Sequence, residues 1–274
     1  MAQNAQWQVT GSAPEVYEKE LVPAIFAPWA PIVIDLAHPQ QGDRVLDVAC
    51  GTGIIARLVA NRVGPTGEVV GVDLNPGMLK VARTVWSVGS HSGVRVQWQE
   101  ASADKLPFTN HSFNVAYCQL GLQFFADRSA ALREMHRVLA AGGKLALMVW
   151  CDIAESPGFA ALAHSLEQRV GQAAANVMRA PFALADPDEL TALVRDAGFH
   201  DVACQRRSGT VRFPSVEKLV TSYISGSPLA SLMSSTDHAA REALIADLAN
   251  ALEQYTNSTE LAFPIAAHLV SARV

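Results

Sequence analysis

No two of the four cysteines lie close together: Cys50, Cys118, Cys151 and Cys204 make neither a C-x-x-C pair nor a Cys/His ligand spacing. The sequence therefore offers no disulfide or metal framework to read, and the four are expected to be reduced thiols in a cytoplasmic protein. A basic excess is also missing. With 26 acidic residues against 21 basic ones and a formal net charge of -5, the chain has no electrostatic footprint for DNA or RNA, and nucleic acid is set aside as a partner. Long apolar runs are absent too. The most membrane-like stretch, residues 22–34, carries Pro23, Pro28 and Pro31 and falls well short of the roughly 20 residues that span a bilayer. No transmembrane segment is expected; the stretch reads as a helix and a turn packed on the domain, with an interfacial anchor as the alternative. The amino terminus MAQNAQWQVTGS lacks both a cationic start and an apolar core, so no signal peptide is expected. Internal repeats and low-complexity tracts are not seen.

What is present is a globular composition. Half of the 274 residues are hydrophobic and 17% are charged, enough to build a core without staples. From about residue 44 onward, strand patterns alternate with helix patterns, the mark of a mostly parallel sheet with helices on both faces. The strands are expected at Arg44–Ala49, Glu68–Asp73, Val94–Gln99, Phe113–Gln119, Lys144–Trp150, Val202–Phe213 and Glu260–Val274. Helices are expected from Gly53, from Pro76, over Arg128–Leu139 and over Asp186–Ala197, the third of them stopping in an Ala140–Gly143 turn. This predicts one α/β domain over residues 1–274, a doubly wound, mostly parallel seven-stranded sheet. Its parts are a helical cap (1–40), a binding core (41–152) and two insertions (153–185 and 214–258). The insertions leave the strand tips, where such folds place lids and substrate walls.

Residues 45–53 read VLDVACGTG, and Asp73 closes the next apolar strand, VVGVD. A buried strand that stops in a glycine turn lets backbone come close to a ligand at Gly51 and Gly53. An acid at the tip of the second strand can accept hydrogen bonds from ribose hydroxyls. Together they predict a pocket for an adenosine-containing cofactor. GTGIIA at residues 51–56 also fits the degenerate dinucleotide fingerprint, so an NAD-linked oxidoreductase is one reading. Asp47 separates the two. A carboxylate inside the first strand suits an ammonium or sulfonium ligand better than an anionic pyrophosphate.

At these residues the chain resembles the class I S-adenosylmethionine-dependent methyltransferases, in particular the small-molecule branch of UbiE/COQ5-like enzymes. VLDVACGTG and VGVDLNPGML resemble that family's first two motifs, SADKLPF at residues 102–108 the segment after strand three, and RVLAAGGKLAL the run into strand five. The resemblance implies a Rossmann-like methyltransferase fold, S-adenosylmethionine as methyl donor and S-adenosylhomocysteine as product. It implies that Asp47, Ala49, Gly51 and Gly53 line the methionine part of the donor and that Asp73 takes the ribose. Leu74 and Met78 would pack on adenine, Ala103 would offer it a backbone N–H, and Gln119 would lie near the amino acid end. The family usually has Asp where this chain has Ser102, so Ser102 or Asp104 must accept from the adenine amino group. In related enzymes an amino-terminal helix closes over the donor, which makes Tyr17 a candidate at its entrance.

Methyl transfer from a sulfonium needs alignment and exclusion of water more than a catalytic signature. A general base would add about 100- to 10,000-fold for a hydroxyl or carbon acid. The polar candidates are Tyr17, Gln123, Trp150, Asp152, His164 and Tyr223, none marked by a motif, and the catalytic residue is left open. Convergence of Cys50, Cys118 and Cys151 at strand ends would suit a soft element such as arsenic; buried apolar packing is the other reading. The acceptor is expected to be a small apolar or aromatic molecule walled by Phe159, Leu162, Leu166, Phe182, Leu219, Tyr223, Leu229, Leu232 and Met233 of the insertions. Core packing or a homodimer surface is the alternative use of those residues. A regulatory protein that binds the donor without turnover is the remaining alternative function.

Overall fold

Val45, Leu46 and Val48 have no exposed surface, and a strand apolar on both faces belongs in the middle of a parallel sheet. In the computed structural model, which describes residues 9–88, 93–234 and 238–274, this strand is β1 (Arg44–Val48). It pairs in parallel with β2 (Glu68–Asp73) on one side and β4 (Phe113–Gln119) on the other. β3 (Arg95–Glu100) lies beyond β2, and β5 (Leu139–Trp150) lies beyond β4. The sheet ends with β7 (Leu261–Arg273), antiparallel between β5 and the edge strand β6 (His200–Phe213). The order β3-β2-β1-β4-β5-β7-β6 is the seven-stranded, mostly parallel, doubly wound sheet expected from the alternation. Strand order reverses between β1 and β4, and ligands bind beyond the carboxyl ends of strands at such a switch point.

Helices cover both faces. α1 (Ala13–Val16) runs into a π-helix, Tyr17–Phe26, and α2 (Ala30–Ala37) follows. α3 (Ile54–Val63) starts at the glycine turn, α4 (Pro76–Val88) follows β2, and α5 (Arg128–Val138) is capped by Asp127, which accepts from the Ala130 amide at 2.7 Å. α5 ends one residue earlier than the pattern suggests. Leu139 already pairs with Phe113, and the ladder resumes at Lys144 opposite Val115. The Ala140–Gly143 turn is thus an irregularity inside β5 instead of a link before it, because the open edge of Phe113 takes Leu139 as a ladder partner.

The apolar stretch at residues 22–34 is the end of the π-helix and the start of α2. The two helical segments Ala13–Phe26 and Ala30–Ala37 are bent by 68°, and Leu21, Val22, Ile25, Trp29, Ala30, Val33 and Ile34 are buried in the core. No single described helix is long and apolar enough to cross a membrane.

The first insertion forms α6 (Pro157–Arg169) and α7 (Gln172–Arg179), and α8 (Pro187–Asp196), capped by Asp186, returns the chain to β6. The second forms α9 (Val216–Ser225), α10 (Leu229–Leu232) and α11 (His238–Ala251). α6 packs on α11, and α9 packs on the π-helix. Phe159 sits among Phe182, Tyr223 and Phe263, with ring centroids 5.4–5.9 Å away. Of the nine apolar insertion residues expected to wall an acceptor, eight are buried in this shared core and Leu232 is exposed. The helices bury their apolar faces on one another and on the sheet, so they serve as core.

Candidate functional site

Asp73 joins the two motifs physically. At the tip of β2, its Oδ2 accepts a hydrogen bond from the Gly51 amide at 2.8 Å and its Oδ1 one from the Asn75 amide, also at 2.8 Å. Asn75 then organises the start of α4: its Oδ1 accepts from the Gly77 amide, and its Nδ2 donates to the Val9 carbonyl at 2.9 Å. The Asp73 carboxyl is pushed above its usual range, chiefly by burial, against the opposing pull of the amides that donate to it. Each oxygen keeps lone-pair capacity beyond its amide partner.

Asp47 is 1% exposed. Its Oδ2 accepts from the Ala56 amide in the first turn of α3 at 3.0 Å. Burial lifts its carboxyl to about 8; the Ala56 hydrogen bond and the Arg57 charge oppose that rise, and Asp73 adds to it. A buried carboxyl held near neutrality is poised to ionise when a cation arrives beside it.

The strand tips enclose a recess in two parts. The larger, a cavity of about 160 Å³, is lined by Tyr17, Ala49, Asp73, Leu74, Met78, Ser102, Ala103 and Gln119 among the residues expected at the site. The smaller, about 30 Å³, is lined by Asp47 and Cys50 together with Tyr17, Ala49 and Gln119. These three shared residues form the wall between the parts. Tyr17 comes from the π-helix, stacks on Phe26 with centroids 4.9 Å apart, and brings its ring edge to 4.0 Å from where a Cβ on Gly51 would stand. Gln119 donates from Nε2 to the Phe26 carbonyl at 3.0 Å, while its Oε1 is buried with no hydrogen-bond partner.

The glycines divide their tasks differently from the sequence expectation. Gly51 lies under Tyr17, with φ +55°. Neither Gly51 nor Gly53 is among the residues that line the two cavities. A Cβ on Gly53 would stand 2.2 Å from the Trp98 ring, so its missing side chain admits the indole of β3, and its φ of +87° suits the turn into α3. A third glycine was not anticipated. At Gly121 a Cβ would stand 2.6 Å from the Ala49 Cβ and 2.8 Å from the Cys118 sulfur, so only glycine lets the loop after β4 close onto the tip of β1. The two tips are further marked by left-handed backbone at non-glycine residues, Ala49 at φ +56° and Leu120 at φ +58°. Such strain concentrates at binding sites.

Sequence reasoning missed Val9, Asn75, Leu120, Gly121, Phe124 and Phe125, all of which line the larger cavity, and found Asp104, which lines it beside Ser102. A glycine two residues past the end of a predicted strand was the available signal for Gly121; nothing local marks Val9. Of the six polar candidates for a base, only Tyr17 reaches the recess. Burial, with the Asp73 and Glu18 carboxylates nearby, pushes its hydroxyl well up, so it stays protonated. Gln123 is buried and donates to the Leu120 carbonyl at 3.1 Å, Trp150 packs edge-on against Trp29, and Asp152 caps a short turn through Ala154. His164 lies on a surface groove between α6 and α11, and Tyr223 is in the insertion core. The cysteines do not converge. Cys151 faces Glu155 and Cys204, and burial raises the thiols of Cys50, Cys118 and Cys151, leaving them apolar in character.

The residues fit a donor with hydroxyls at one end and an ammonium at the other. Asp73 offers acceptors on the larger side, Asp47 a carboxyl on the smaller, and the unpartnered Oε1 of Gln119 an acceptor at the junction. An anionic pyrophosphate would find no basic side chain among the residues that line the two cavities.

The sequence pattern of the ubiE/COQ5 methyltransferase family matches residues 21–213. The chain is similar to the ubiquinone/menaquinone biosynthesis C-methyltransferase UbiE of Pseudomonas aeruginosa (strain LESB58), 34% identical over 193 residues, which cover 67% of this chain and 75% of that protein. It is 43% identical over 120 residues to the protein of the same name from Ectopseudomonas mendocina, covering 44% of this chain and only 46% of that one. Among solved structures, the YcgJ protein of Bacillus subtilis superposes with a TM-score of 0.59 at 20% identity, covering 89% of this chain and 97% of that one. That likeness is one of fold.

Proposed function

The chain belongs to the ubiE/COQ5 methyltransferase family, and from that premise we propose that the recess at the strand tips holds S-adenosylmethionine and that the enzyme methylates a small, apolar or aromatic acceptor. When bound, the donor supplies a methyl group already activated by a sulfonium. Asp73 holds the ribose hydroxyls, Leu74 and Met78 cover the adenine, Ser102, Ala103 and Asp104 meet its edge, and Asp47 with Gln119 receives the amino acid end. Tyr17 and Phe26 exclude water from above. The observation that carries this reading is the meeting of Asp47, Asp73 and Gln119, from three adjacent parallel strands, around one recess.

The similar proteins are named for C-methylation in ubiquinone and menaquinone biosynthesis. A ring-bearing acceptor suits the apolar side chains Leu120, Phe124 and Phe125 at the larger cavity. With Tyr17 kept protonated, this chain contributes alignment and dryness at that point, and an acceptor that enters already activated is the one it serves best. We place the enzyme in the cytoplasm, in keeping with its four free thiols; any homodimer would use surfaces other than the insertion side chains already covered within the chain. Incubation with methyl-labelled S-adenosylmethionine and a panel of small quinols and phenols tests the proposal. Label in an acceptor, with S-adenosylhomocysteine formed one for one, is expected; donor binding with no transfer to any member would point to a regulatory protein instead.

A further inference from the structure

Arg57 lines neither cavity, yet it joins the two pieces of chain that meet at Tyr17. It stands in the first turn of α3. Its Nη1 donates to the carbonyl of Thr52, the residue between the two glycines, and its Nη2 donates to Glu18 Oε1 at 2.8 Å. The Arg57 and Glu18 side chains are 14% and 18% exposed. The second oxygen of Glu18 is buried with no hydrogen-bond partner, so this carboxylate depends on Arg57. Glu18 is also the neighbour in sequence of Tyr17, whose ring lies over Gly51 and forms part of the wall between the cavities.

We propose that Arg57 is a positioning residue for the donor site, a strut that fixes the π-helix to the glycine turn and so sets where the Tyr17 ring stands over Gly51. The inference rests on the donor assignment above. Its physical basis is that a largely buried carboxylate deprived of its cation is drawn toward water, which cuts the tie that Glu18 and Arg57 make between the π-helix, next to Tyr17, and the glycine turn. The strut acts on the junction of the two cavities. A ligand confined to the larger cavity, such as adenosine, does not need that junction; S-adenosylhomocysteine, with its amino acid tail, does.

Calorimetric titration with adenosine and with S-adenosylhomocysteine, on wild type, Arg57→Gln, Arg57→Lys and the double variant Glu18→Gln/Arg57→Gln, separates the possibilities. Arg57→Gln is expected to weaken S-adenosylhomocysteine about tenfold and adenosine less than about twofold, the size of one lost charge-assisted contact. The double variant, which leaves no stranded charge, is expected to recover most of that loss. Arg57→Lys keeps the charge but not the fork that reaches both partners, and is expected to fall between wild type and Arg57→Gln; it also serves if Arg57→Gln does not fold. Amide exchange over residues 17–26 should speed up in Arg57→Gln and return toward wild type in the double variant. Equal losses for the two ligands, unchanged affinity for both, or a double variant no better than the single one would overturn the strut. Wild type that binds adenosine and S-adenosylhomocysteine normally while these variants fail the pattern overturns the strut alone; wild type that binds neither overturns the donor assignment with it.

Discussion

The Asp73 carboxylate accepts a hydrogen bond from the Gly51 amide at 2.8 Å, so the acid of the second motif is also the brace of the first. The ribose contact proposed for Asp73 and the shape of the glycine turn would therefore depend on the same side chain. Loss of Asp73 would remove a ligand contact and loosen the turn beneath Tyr17 together.

Asp47 makes stability depend on pH. Its folded carboxyl titrates at about 8, whereas the unfolded one titrates near 4. Between those values the folded protein holds a proton that the unfolded chain has lost. The stability it contributes is full below about pH 4 and is lost as pH rises through about 8. Asp73, also raised, acts in the same direction. Urea unfolding of the ligand-free protein from pH 5 to 8 should show stability falling by up to about 1.4 kcal/mol per pH unit for each such proton. Asp47→Asn should flatten that slope. An equally steep slope in Asp47→Asn would assign it elsewhere.

Gly53→Ala and Gly121→Ala are expected to differ in what they damage. The first drives a methyl into Trp98 at a left-handed position, away from both cavities, and should cost about 1–3 kcal/mol of stability with the donor affinity of the folded fraction little changed. The second presses on Ala49 and the Cys118 sulfur at the wall of the recess, and should lower donor affinity about tenfold or more beyond its effect on stability. Thermal melts paired with titration of the folded protein distinguish them; equal effects on affinity would place Gly53 at the ligand after all.

Tyr17 is expected to matter through its ring. Its hydroxyl is held protonated, so Tyr17→Phe should leave the pH profile of turnover unchanged and donor affinity within about threefold. Tyr17→Ala removes the stack on Phe26 and the wall between the cavities, with an expected loss of about 3–5 kcal/mol of stability. A Phe variant that loses an ionisation from the profile would restore the hydroxyl as a base.

Much of this arrangement is legible in sequence order because it is local. β2 and β4 span the residues that the alternation assigns, Glu68–Asp73 and Phe113–Gln119, and the tips of those strands hold Asp73 and Gln119. What escaped is non-local. Whether Gly53 faces a ligand or an indole depends on Trp98, 45 positions along the chain and two strands further out. The insertion residues carry the same apolar pattern whether they wall a substrate or bury one another, since periodicity reports that a face is covered and not what covers it. Arg57 reads as an ordinary exposed-face cation on a helix until Glu18 is brought beside it.

The central claim is that the recess binds a sulfonium donor through Asp73 and Asp47. Titration of wild type and Asp73→Ala with S-adenosylhomocysteine and with NAD tests it most directly. The account predicts one molecule of S-adenosylhomocysteine bound per chain, no measurable NAD binding, and about 10- to 100-fold weaker S-adenosylhomocysteine binding by Asp73→Ala, the span of a lost charged hydrogen bond. Binding of NAD in preference, or unchanged affinity in Asp73→Ala, would contradict it.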